Sequence, residues 1–259
     1  MRAALKLLAA TLVATVSASA VNAQTFDVKD LEFKAGELEF GTSNSFQSGL
    51  PRDGGANRSA HDKSLDYGVT ERWRLSGIAK FERPDGEKMR FAAIGIENLF
   101  VLKPIDDKRT HDVGLGWFVG TQFSTNEETQ NNVQFGPVVS FKLDKVSVNA
   151  NPFLEKTFGR NKIDGIAFSY GWNAKYALTE KFSVGIEGFG VVENIGRGTP
   201  LDEQQHRIGP AIFTEIEIAK DYSITPDLGI LFGLTKGTPD VAIKLNVGIP
   251  LYKAAKKAD

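Results

Sequence analysis

Charged side chains at alternating positions are the residues of this sequence best placed to act on a ligand. Thirteen of them fall on the polar face of their segments: Glu39, Asp66, Arg72, Arg74, Lys80, Glu97, Lys142, Glu155, Lys175, Glu187, Arg207, Glu215 and Lys244. On an enclosed face, charges of both signs must pair or stay wet, because desolvating one alone is expensive. Two roles suit such a set. It braces a wall through salt bridges, or it forms a polar constriction that selects solutes. Arg72, Arg74 and Lys80 are expected to pair with Glu39, Asp66 and Glu97. Their segments should be consecutive antiparallel neighbours, so opposite charges would meet across adjacent strands.

Other chemistry has less support. The three histidines are His61, His111 and His206. None stands in an H-x-H or H-x-x-x-H pair, so no local metal site is implied. His206 lies beside Gln204, Gln205 and Arg207 with no serine motif of the kind a hydrolytic triad needs. Cysteine is absent, which excludes a disulfide scaffold and a thiolate metal site. Gly114-Leu115-Gly116 lies inside a strand-like segment rather than on a strand-to-helix turn, so it is no phosphate cradle. No catalytic, cofactor-binding or metal-binding residue is assigned, no cofactor is expected, and the chain is read as a non-enzyme.

The elements that carry the charges alternate with period two, which a helix cannot use. Ile166, Phe168, Tyr170, Trp172, Ala174, Tyr176 and Leu178 oppose Ala167, Ser169, Gly171, Asn173, Lys175 and Ala177. Val241, Ile243, Leu245, Val247, Ile249 and Leu251 oppose Lys244, Asn246 and Gly248. The pattern recurs to give about twelve strands, each near ten residues or longer, enough to cross a hydrocarbon layer when tilted. It weakens at Leu99-Phe100-Val101-Leu102, and it changes phase near Gly36 within Leu31–Phe40, which suggests a bulge. Short connections at Thr70-Glu71, Asp144-Lys145 and Thr179–Lys181 alternate with longer polar ones at Gln47–His61, Ser124–Asn132 and Ile195–Gln205. Lys103–Asp112 breaks that parity. The fold expected is all-β: an antiparallel up-and-down transmembrane barrel.

The N-terminus sets the compartment. Arg2 and Lys6 are the only charges before Asp27, and Leu7–Val16 is apolar but too short to span a bilayer. With Val21-Asn22-Ala23 after it, residues 1–23 read as a cleavable signal peptide and 24–259 as the barrel domain. Losing Arg2 and Lys6 takes the formal charge from −1 to −3. There is no basic excess to hold phosphates, so nucleic acid is not an expected partner. The expected partners are outer-membrane lipid and a small-molecule solute, and the expected location is the outer membrane.

A soluble periplasmic barrel or sandwich that binds a ligand would show the same alternation. Three features favour the membrane. The apolar faces run through most strands at similar length. The polar faces are rich in glycine and small residues. Tyr67, Trp73, Phe81, Trp117, Phe123, Tyr170, Trp172 and Tyr176 stand on the apolar face, some near strand ends, as an interfacial girdle requires. An outer-membrane lipid-modifying hydrolase is a further alternative, resting only on His206.

Three stretches carry a resemblance: Asp66–Trp73, Arg207–Pro210, and Gly229–Thr235 followed by Thr238-Pro239-Asp240. They look like proteobacterial outer-membrane barrels of the family named for the meta-pathway of phenol degradation, and like its uncharacterised relatives. The similarity runs loosely from Leu65 to Leu251. It implies a porin-like barrel that passes or handles small, often apolar, molecules, and it supplies no catalytic residue. Barrels of this kind often end on an aromatic residue. Here Tyr252 is followed by Lys253–Asp259, which puts recognition by the insertion machinery in question. Export predicts that mass analysis of envelope-extracted protein finds Gln24 as the first residue. Retention of Met1 would contradict it.

Overall fold

The computed structural model describes residues 24–252 apart from 52–53, 107, 127–129, 161 and 220–221. Residues 1–23, expected to be a signal peptide, and the tail Lys253–Asp259 therefore lie outside the described residues. Thirteen strands follow one another: β1 (Leu38–Leu50), β2 (Ala56–Thr70), β3 (Trp73–Pro84), β4 (Arg90–Lys103), β5 (His111–Ser124), β6 (Asn131–Leu143), β7 (Val146–Phe158), β8 (Ala167–Thr179), β9 (Phe182–Val192), β10 (Gln205–Thr214), β11 (Ile216–Ala219), β12 (Tyr222–Gly233) and β13 (Val241–Tyr252). Each of β1 to β9 pairs antiparallel with the next, β12 pairs with β13, and β13 returns to β1. β10 pairs directly with β12, so twelve strands close the barrel. The four-residue β11 is an exposed extra, laid against one end of β12.

Closure answers the backbone's demand for partners. A sheet with an apolar outside cannot leave donors and acceptors unpaired along an edge. The β1–β13 ladder is long, from Leu38↔Tyr252 to Ser48↔Val241. The β10–β12 ladder is the shortest. It holds Ile208↔Phe232 and Ala211↔Gly229, but Gly209 and Pro210 have no partner on β12. Proline has no N–H to contribute there.

Leu38 and Tyr252 define a terminal rim, where the short turns also lie. Apart from the β4–β5 connection, which lies at the terminal rim, the longer connections form a loop rim opposite. The outer face is an apolar band: Ile94, Ile96 and Leu245 are 50%, 52% and 41% exposed. The aromatic residues expected outside are there, with Tyr67, Trp117, Phe123 and Tyr176 exposed. One polar patch interrupts the band. Thr42 and Asn44 pair across β1–β2 with Lys63 and His61, on the same face as Leu245. These groups satisfy one another: His61 Nδ1 lies 2.9 Å from Asn44 Oδ1, Asn44 Nδ2 donates to the Leu245 carbonyl, and Lys63 Nζ donates to Thr42.

Two expectations need correction. The first strand begins at Leu38, not near Leu31, and Gly36 sits in a turn with φ of 75° rather than at a bulge. Arg72 does not line the lumen. It occupies the turn between Thr70 and Trp73, exposed at the terminal rim, because the β2–β3 register ends at Thr70↔Trp73. Alternation continued by one residue too many carried Arg72 inside.

The two faces predict different tolerance to charge. Leu245→Arg places a cation in the apolar band and should cost roughly 2–4 kcal/mol. Gln122→Arg, on a side chain lining the interior, should cost much less. Refolding into lipid vesicles measures both, and equal losses would contradict the assignment of faces.

Candidate functional site

The chain before β1 does not stay outside. It enters at the terminal rim and runs up inside the barrel. At the rim, Gly36 N donates to the Gly68 carbonyl and Gly68 N to the Glu37 carbonyl. A Cβ on Gly68 would stand 2.0 Å from the Lys34 carbonyl oxygen, so only glycine admits this approach. At its other end, Ser45 Oγ and Gln47 Nε2 donate to the Gln24 carbonyl, well along β1.

An irregular backbone inside a barrel has peptide groups with no ladder to join, and buried ones must find other partners. The wall provides them. Asn151 accepts from Lys29 N at 2.7 Å and donates to Lys29 O at 2.9 Å, closing both ends of one residue. Asn246 Nδ2 donates to the Phe26 carbonyl, and Thr25 Oγ1 to Asp62.

The segment's apolar side chains explain the irregular stretches of the strand pattern. Leu31 packs with Leu99, Val101, Phe118, Val138 and Phe153, all buried and all on the inner face. Gly114 and Gly116 make room for it: a Cβ on either would come within 2.7 Å of Leu31. Phe26 forms a second cluster with Val28, Phe189, Leu231 and Ala242, and the Arg207 guanidinium lies 4.5 Å from its ring centre.

Beside Phe26 sits a buried ion triad. Lys244 Nζ is 2.6 Å from Glu187 Oε2 and 2.6 Å from Asp227 Oδ2, and Lys244 and Glu187 are both 0% exposed. Glu187 stands on β9 and Lys244 on β13, so the contact spans the interrupted β10–β12 seam from within. Gly229 allows it. A Cβ there would meet Lys244 Cε at 3.1 Å and Glu187 Oε2 at 3.2 Å. Both carboxylate oxygens of Glu187 and Oδ1 of Asp227 lack a hydrogen-bond partner among the described residues, so the triad is held chiefly by charge.

Of the thirteen charges, Glu39, Asp66, Arg74, Lys80, Glu97, Glu155 and Lys175 line the remaining cavity, with Glu215 at its terminal mouth. Glu187, Arg207 and Lys244 point inward but are sealed in the wall. Lys142 is on the inner face near the terminal rim, opposite Asp112. The pairing expected among strands β1 to β4 does not form as named. Lys80 binds Asp62 at 3.0 Å. Glu97 binds Lys29 at 2.8 Å, and Lys29 also holds Asp27 at 3.0 Å. Arg74 lies over the Phe33 ring. The inserted segment took these partners, and strand alternation carries no trace of it. Asp27, Lys29 and Asn151 were missed for that reason. The signals available were apolar residues on a polar face, at Leu99, Val101, Phe118 and Val138.

His206 faces outward. Its Nδ1 lies 2.8 Å from the Tyr170 hydroxyl and its Nε2 2.9 Å from Gln204 Oε1. That arrangement ties a loop to the wall.

The cavity has a volume of about 950 Å³. Its lining includes Glu193 and Asp164 at the loop rim and Ser147 and Lys181 at the terminal rim. A strand of 13 residues, rising about 3.3 Å per residue and tilted about 40°, makes a wall roughly 30 Å high. Spread over that height, the volume corresponds to a mean bore of about 6 Å.

No protein-family model matches the chain, and no curated protein matches it. Solved structures do. An outer membrane channel from Pseudomonas putida F1 superposes with a TM-score of 0.59 at 12% identity, over 87% of this chain and 99% of that one. The NanC porin gives 0.51 at 11% identity, over 83% and 100%. The KdgM porin in complex with disordered oligogalacturonate gives 0.50 at 10% identity, over 83% and 99%. At these identities the likeness establishes the shared barrel fold.

The triad predicts a large stability effect. Lys244→Met leaves two carboxylates facing each other in a dry wall and should lower stability by about 3–5 kcal/mol. Adding Glu187→Gln and Asp227→Asn should recover part of the loss. Urea unfolding of the lipid-inserted protein reads both.

Proposed function

We propose that this protein is an outer-membrane channel that lets small solutes diffuse through a narrow polar passage beside its inserted N-terminal segment. Residues 1–23 are its export signal, the terminal rim faces the periplasm, and the loop rim faces outward. One observation carries the reading: the cavity has lining residues at both rims although Gln24–Glu37 occupies part of the lumen. A bore of about 6 Å admits ions and small organic molecules and stops folded chains.

The apolar outer band supports a lipid environment over a soluble one, since Ile94, Ile96 and Leu245 would otherwise stand in water. The porin and channel neighbours support the same location and a non-catalytic role. The phenol meta-pathway resemblance suggests an apolar solute. We carry over from it only the channel role, because carboxylates, hydroxyls and amides wall this passage. The three stretches behind that resemblance do local work. Gly68 docks the segment, Arg207 covers Phe26, and Gly229 seats the triad.

Planar-bilayer recording of the refolded mature protein tests this. The intact protein should give a small, steady conductance. Deleting residues 24–35 should raise it several-fold. Leu31→Asp, which unseats the segment from its apolar floor, should do the same if the deletion fails to fold. Absence of current from all three would overturn the channel reading.

A further inference from the structure

We propose that the passage selects for positively charged solutes, so that small amine- or guanidine-bearing molecules and alkali cations cross in preference to carboxylates and phosphates of the same size. This rests on the channel reading and names the solute class of the same passage.

The argument starts from the charge on its wall. Among the described residues, 14 acidic and five basic side chains line the cavity, and two of those acids are held by cations outside the lining, Asp227 by Lys244 and Glu82 by Arg90. The basic ones are engaged. Lys29 is held by Asp27 and Glu97, and Lys80 by Asp62. Lys181 binds Glu217 at 2.8 Å at the rim. Arg74 and Lys175 lie over the rings of Phe33 and Phe213. Of the other cations on inner-facing positions, Lys244 is sealed in its triad, Arg207 is bound by Gln47 and Gln205, Arg90 binds Glu82 at 2.9 Å, Arg58 stands opposite Gln47 and Lys142 opposite Asp112.

The acids are distributed differently. Glu39 and Asp66 are cross-strand partners near the terminal rim. Asp66 accepts a hydrogen bond from Ser64, and no lysine or arginine lies within ion-pair distance of either carboxylate among the described residues. Glu155 lines the other half of the passage, also without an ion pair there. The inserted segment brings Asp27 and Asp30 to the cavity against Lys29. Negative charge thus runs from rim to rim and is not gathered at one point, so the passage is a continuous field rather than a site for one ion.

Geometry makes that field effective. The Debye length is about 10 Å at 0.1 M salt, longer than the bore of about 6 Å, so mobile ions cannot screen the wall from the middle of the passage. Low-dielectric walls focus the field into the water they enclose. An anion meets repulsion along the whole path. A cation replaces lost hydration with carboxylate oxygens, as in acid-lined cation channels.

Zero-current potentials across a bilayer holding the full mature protein, in a tenfold potassium chloride gradient, test this. The expected permeability ratio of potassium to chloride is at least about five. Liposomes carrying the protein should admit ethanolammonium chloride faster than sodium glycolate. Glu39→Gln with Asp66→Asn should lower the ratio at least about two-fold. Should that pair fail to fold, Glu155→Gln is read in its place. Conductance with a ratio near one, or favouring chloride, overturns the selectivity and leaves the channel standing. A ratio that ignores the carboxylate variants overturns their assignment. No conductance under any condition overturns the channel and the selectivity with it.

Discussion

Every backbone group in the wall has to be bonded within the wall, and most features of this molecule follow from that constraint. An apolar exterior offers no water to an unpaired edge. The sheet therefore closes through β1 and β13, whose register runs nearly the full length of both strands. The β10–β12 contact is the shortest ladder of the closed wall. Gly209 and Pro210 leave the ladder open there, and the Glu187–Lys244 ion pair spans it from inside. Charge at a dry position is expensive unless paired. Here the pair ties strands on either side of a gap that hydrogen bonds do not fill.

Closing the wall creates a second problem, which is what to put inside. The segment before β1 answers it, and its peptide groups then need partners of their own. Side chains answer that need from the inner face. Asn151 serves both peptide groups of Lys29, Asn246 serves Phe26, and Ser45 with Gln47 serves Gln24. Apolar contacts fill the rest, with Leu31 on a floor of Leu99, Phe118 and Val138. The filling is partial. It leaves a cavity whose walls are charged, and this residual space carries the functional reading.

Much of the architecture was legible beforehand. The alternation of Ile166–Leu178 and Val241–Leu251 gave strand direction, and the outward faces are those the alternation assigned. Strand order could be read because short turns force neighbours. The lumen was less legible. Glu39, Asp66, Arg74, Lys80, Glu97, Glu155 and Lys175 do face the cavity. Their partners are not those that strand adjacency suggested, and Arg72 is in a turn. Leu31–Phe33 looked like the start of a strand because an inserted segment and a strand both carry apolar residues at alternate places.

Side-chain direction in a strand depends on local backbone geometry alone, so the sequence by itself determined which residues share a face of the sheet, while its closure through β1–β13 and β10–β12 was decided by the tertiary structure. Contacts across the lumen depend on curvature, on which strands stand opposite, and on how the chain before β1 is threaded. None of these is local. The union of Glu97 with Lys29, the meeting of Glu187, Asp227 and Lys244 across Gly229, and the surplus of carboxylates left facing the passage were decided only by the tertiary structure. A buried charge takes whichever partner the closed barrel brings within reach, because desolvation leaves it no alternative in solvent.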